Sequence, residues 1–166
     1  MPNDSGCPSG ISGHSPYTIE EVLDNFVVLL EGETFEQELR ALGIGRMRFL
    51  YRGRAIASLR ALHVALWRLA LLRSFPKEGE HICSLFLESL RNRAKTDRER
   101  TRFEAFEQEV LSYRELLKDR GADDFTAVAA HLVSRFRPGA SDSAAIRLRL
   151  ILLIRNAYTV IFDRLI

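Results

Sequence analysis

Arginines and aromatic residues alternate in the segment GRMRFLYRGR, Gly45 to Arg54, where Arg46, Arg48, Arg52 and Arg54 are interleaved with Phe49 and Tyr51. Guanidinium groups hold phosphates and aromatic rings stack on bases, so this pattern is a candidate anion or nucleic-acid site. As a helix, the segment points Arg48 and Arg52 one way and Arg46 and Arg54 another, which makes a poor single-sided reader of a groove. The structural alternative is that Arg48 and Arg52 meet Glu31, Glu33, Glu36 or Glu38 while the aromatics pack. Exposed pairs of that kind contribute only about 0–1 kcal/mol each.

Other residue types that could do chemistry lack the spacing for it. Di-metal sites in helical bundles use paired Glu-x-x-His motifs, and here only Glu78 to His81 has that spacing. Cys83 sits two positions from His81, roughly 200° around a helix, so the two cannot easily share an ion. No metal is expected. His63 and His131 lie in apolar surroundings and read as packed residues, and Cys83 on an apolar face reads as inert. Serine, histidine and acids occur without a GxSxG elbow, and the glycines form neither GxGxxG nor GxxxxGK[ST]. Neither catalytic residues nor a cofactor are expected.

Two short sites are partly similar to helical domains of the HEPN type, which carry an Arg-Asn pair with a histidine four residues after the Asn. Arg91-Asn92 is followed at that position by Thr96, and Arg155-Asn156 by Val160. The resemblance covers only a few residues and stops short of the acid-base histidine both times. It implies phosphate binding by Arg91 or Arg155 without cleavage.

The elements that must position these residues are helices almost from end to end, since no segment alternates as a strand does. The sequence predicts an all-α, single-domain bundle of about six to seven helices around two apolar core helices. Thr18 with Glu21 forms a capping box that opens the first helix, and Thr34 with Gln37 repeats the pattern for a short one ending at Gly43. A long helix follows from about Arg46 to Ser74, apolar on nearly every side between Ile56 and Leu72. Along it Gly53, Ala57, Ala61 and Ala65 recur every four residues, a small-residue ridge for a close helix contact within the fold or with a second subunit. A change of apolar phase, with Thr96 and Glu99 as a third capping box, places a break near residues 95 to 97. Gly121 is expected to cap the fifth helix, and Asp123 or Asp124 to start the sixth. The last begins at Ser141 or Asp142 and supplies the second core helix.

Charge is distributed very unevenly along this frame. Residues 1–39 hold eight acidic and no basic side chains, and residues 40–77 hold nine basic and no acidic ones. Either acidic helices lie on the basic one, or a basic surface is left for an acidic partner. Residues 1–17 read as a flexible tail without a secretory signal, and 18–166 as the bundle domain. The apolar stretches Ala55 to Leu72 and Ile146 to Ile166 are interrupted by arginines, so they read as core helices and no membrane span is expected. Two cysteines without a CxxC pair suggest a reducing cytoplasm. The expectation is a non-catalytic cytoplasmic bundle acting through protein contact or self-association, with a homodimer among the forms it could take. The alternative is a nucleic-acid or phosphate-binding helical domain using Arg46, Arg48, Arg52 and Arg54, similar to the HEPN type without its catalytic histidine.

Overall fold

The structure, a computed structural model, describes residues 18–118 and 124–165. The expected tail over residues 1–17 and the expected cap at Gly121 lie outside the described residues. Among those described there are seven helices and no strand.

Helix α1 (Ile19–Gly32) opens on the expected capping box. The Thr18 hydroxyl accepts the Glu21 amide at 3.2 Å, and the Glu21 carboxylate accepts the Thr18 amide at 2.7 Å. Two of the amides that a helix start leaves without partners are thereby satisfied. Val22, Phe26 and Leu29 form the buried face. Phe26 stacks on Trp67 with ring centres 4.2 Å apart and meets Phe86 edge-on at 5.2 Å.

Helix α2 (Glu36–Ala41) corrects the sequence reading, because Thr34 and Gln37 form no capping box. Its N-cap is Phe35, in the left-handed region at φ 56°, without a side-chain cap. The ring of Phe35 is buried edge-on against His63 at 4.9 Å. Burying such a side chain yields about 1.5–3 kcal/mol, enough to offset a left-handed backbone costing about 1–3 kcal/mol. The far end follows local rules. Gly43, at φ 66°, sends its amide to Arg40 at 3.0 Å while Ile44 reaches Leu39 at 2.8 Å, the paired bonds of a Schellman stop.

Helix α3 (Phe49–Ser74) begins three residues later than expected, because Gly45 to Arg48 turn away from that stop first. It is about 39 Å long. Between Ser58 and Leu71 it is buried on most sides. This helix is long and apolar enough to cross a membrane by length and composition, and two thirds of that stretch is buried inside the bundle. Phe75 and Pro76 end it, and Gly79 opens α4 (Gly79–Arg93) against its last turns. A Cβ at Gly79 would lie 2.8 Å from the Leu71 carbonyl oxygen, so only glycine fits this crossing.

The expected break separates α4 from α5 (Asp97–Leu117), and the Thr96–Glu99 box is formed. Glu99 accepts amides from Thr96 and Lys95 at 2.9 and 3.0 Å, which holds its carboxyl below the usual range. Helix α6 (Thr126–Phe136) has Phe125 as N-cap; of the two expected starts Asp123 lies outside the described residues, and the Asp124 carboxylate accepts the Thr126 amide at 3.0 Å. Helix α7 (Ser143–Asp163) buries Ile146, Leu150, Ile154, Tyr158 and Ile161. Its other side, with Arg149, Asn156, Thr159 and Asp163, faces solvent.

Helix α3 is the axis of the bundle, touched by α1, α2, α4, α5 and α7. Tyr51 meets Phe136 at one end and Arg73 meets Tyr158 at the other, so α7 follows α3 in the same direction. A contiguous apolar cluster runs from Val22 to Leu165 through all seven helices.

Candidate functional site

The arginines of the Gly45–Arg54 segment do not act as a set. Arg46 lies in the turn before α3, Arg48 is its N-cap, and both are exposed, as is Arg54. None of these three forms an ion pair with another described residue. Arg52 is half-buried and pairs with Glu36. The expectation that both Arg48 and Arg52 would find acidic partners therefore holds for Arg52 alone. An open cleft of about 460 Å³ lies here, lined by Glu36, Arg40, Gly43, Ile44, Arg46 and Arg52. Its three guanidiniums and one carboxylate could hold an anion but offer no nucleophile.

The aromatic residues also divide. The Tyr51 hydroxyl donates to the Phe136 carbonyl at 2.7 Å and its ring lies edge-on to Phe136 at 5.8 Å. Phe49, expected to pack, is 75% exposed, beside Met47 at 87% and Leu50 at 88%. The small-residue ridge splits in the same way. Ala61 and Ala65 are buried by neighbouring helices, whereas Gly53 and Ala57 are exposed and continue the line of Phe49 at four-residue spacing. The result is one apolar edge, Met47 to Ala57, bordered by Arg46, Arg48 and Arg54.

The α1 part of the acidic block lies elsewhere. Glu20, Asp24, Val28 and Glu31 are exposed along α1. At 100° per residue they fall within an arc of about 80°, one stripe with an apolar centre. Helix α1 is anchored at Trp67, seventeen positions along α3 from Leu50, or about 25 Å. Charges that far apart across solvent are screened, since the Debye length is about 8–10 Å. Among the described residues, Arg52–Glu36 is the one ion pair that joins the acidic block to the basic one. Glu38 is raised above the carboxylate range, mainly by burial.

Groups that sequence reasoning did not connect meet where α3, α5 and α6 join. The Ser58 hydroxyl donates to Glu109 and lies 2.7 Å from the Tyr113 hydroxyl. Arg135 donates to both oxygens of Glu109, at 2.6 and 3.3 Å. This knot ties α3, α5 and α6 together, and burial pushes the Tyr113 hydroxyl up to about 12. Ser58 and Tyr113 are fully buried, so their hydroxyls are closed to solvent and the knot fixes helix register. No sequence signal marks it, because its partners are 26 to 55 residues apart. A second junction has Glu80 receiving Arg68 at 2.7 Å and Arg114 at 2.8 Å. Cys83 beside it is buried, and desolvation raises its thiol to about 11, the protonated and unreactive form. His63 is buried and held near 4 by desolvation. Among the described residues no group of three or more His, Cys, Asp and Glu could hold a metal.

The two Arg-Asn sites lie on different helices, α4 and α7. Arg91 is occupied with Glu107 at 2.8 Å and with the face of Phe103. No family model, curated protein or solved structure matches the chain.

Proposed function

We propose that this chain is a non-catalytic interaction module that works by self-association, in a reducing compartment of cytoplasmic type, through the apolar edge at the start of α3. The observation that carries this reading is the exposure of Met47, Phe49 and Leu50 within four consecutive residues of a protein with a well-filled core. Each large side chain fully covered by a partner would contribute about 1.5–3 kcal/mol. Exposed Gly53 and Ala57 would let the partner's backbone approach closely, which fits the sequence expectation for the ridge. The buried, unpaired thiol of Cys83 is compatible with a reducing compartment.

Sedimentation velocity over a dilution series tests the proposal. The wild-type protein should show a sedimentation coefficient that rises with concentration, and the Met47→Ser, Phe49→Ser, Leu50→Ser combination should remain monomeric. A wild-type monomer at every concentration would refute it.

The cleft beside Arg40, Arg46 and Arg52 favours a second reading, the binding of a phosphate-bearing partner such as nucleic acid. Here retention on an immobilised polyanion would fall steeply and log-linearly with salt. Absence of retention at low salt would exclude it.

A further inference from the structure

We infer that the assembly is head to tail, with the basic, apolar edge at the start of α3 of one copy seated on the acidic stripe of α1 of the next. This rests on the self-association reading and adds the identity of the facing surface. Three observations lead to it.

The first is that the charge asymmetry of the sequence is left almost unspent within one molecule. Arg46, Arg48 and Arg54 have no described acidic partner, and among the described residues of the acidic block only Glu36 is paired with the basic one. The second is that the edge cannot face itself. Residues 40–77 contain no acid, so a two-fold contact of edge on edge would press like charges together around the apolar centre. The other exposed apolar pair, Leu148 and Leu152 on α7, is also bordered by arginines, Arg147 and Arg149. The third is that the α1 stripe is complementary in kind. It places exposed Val28 among Glu20, Asp24 and Glu31, and residues 1–39 contain no Lys or Arg.

The middle of α1, at Phe26, packs on Trp67, about 25 Å along α3 from Leu50, so one copy does not close its own stripe on its own edge. A contact between different patches on identical chains is heterologous, so a pair of copies still has one free edge and one free stripe, and the assembly grows into a ring or a filament. Screening by salt should weaken it.

Two blocked variants test the orientation. Phe49→Glu with Leu50→Glu puts acid on the edge and leaves the stripe intact. Glu20→Gln, Asp24→Asn and Glu31→Gln neutralise the stripe and leave the edge intact. All five positions are exposed, and Glu21 of the capping box is untouched. Each variant alone should sediment as a monomer. Their equimolar mixture should form a one-to-one dimer and nothing larger, because exactly one competent edge meets one competent stripe. That dimer also shows that both variants are folded. If the stripe variant assembles as the wild type does, or if the mixture stays monomeric while the wild type assembles, the head-to-tail geometry is wrong and self-association stands on another face. If the wild type is a monomer at all concentrations, both readings fall. Binding of such a monomer to phosphatidylserine vesicles, lost with Phe49→Glu and Leu50→Glu, would assign the edge to an anionic membrane surface instead.

Discussion

His63 makes stability depend on pH in a defined window. Its imidazole is buried on α3, edge-on to Phe35, with a nitrogen that has no hydrogen-bond partner, and desolvation lowers it from 6.5 to about 4. In the unfolded chain the same ring titrates near its ordinary value. As pH falls below about 6.5 the unfolded state takes up a proton that the folded state refuses, so stability is lost until about pH 4, where both states are charged. The full gap corresponds to about 3 kcal/mol, of which about 2 kcal/mol is lost by pH 5. For a chain of this size that loss lowers the melting temperature by about 4–8 °C. Urea unfolding followed by the fluorescence of Trp67, the only tryptophan and a buried one, measures it. His63→Gln removes the titration, so the difference between wild type and variant at pH 7.5 and pH 5 isolates this residue. His131, also lowered by burial, and the carboxylates are common to both proteins and cancel. A difference curve that is flat between those two pH values would refute the assignment of a buried neutral imidazole.

Three further outcomes are expected. Glu109→Ala should cost about 1–3 kcal/mol in urea unfolding, since Ser58 and Arg135 lose a shared acceptor, and combined with Ser58→Ala it should be clearly less than additive. Gly79→Ala should lower thermal stability by about 1–3 kcal/mol, because the new methyl would meet the Leu71 carbonyl, a backbone atom that cannot swing aside. Cys83 should be labelled by a thiol reagent at neutral pH only as fast as the protein unfolds, as peptide mass mapping can follow.

The contrast between what was and was not legible in the sequence follows the range of the interactions. The boxes at Thr18–Glu21 and Thr96–Glu99 were readable because a hydroxyl and a carboxyl three residues apart settle a helix start between themselves. Thr34–Gln37 offered the same local signal and lost to Phe35, whose ring is drawn into the core by contacts with a helix that begins fourteen residues later. The phase change near residue 95 was legible because two apolar faces cannot share one straight helix. Apolar periodicity located α3 and α7 but could not say where the covering helices stop. Met47, Phe49 and Leu50 carry the same hydropathy as core residues and are exposed because α2 and α6 meet the start of α3 at Arg52 and Tyr51 and leave its other side uncovered. The candidate edge was therefore half visible, as four arginines and a ridge, while its greasy centre and the acidic stripe opposite required the packing to be known.

The parallel course of α3 and α7 also sets the order of events during synthesis. The side of α3 that α7 covers remains bare until roughly 90 further residues have been added, about 5–18 s at the usual rate of elongation. For that interval a nascent chain carries a sticky, half-clothed rod, while α1 and α2 are already available to wrap the rest and α4 and α5 follow in turn. Chaperones that recognise exposed apolar helices should engage this polypeptide most strongly between the emergence of Ser74 and that of Asp163.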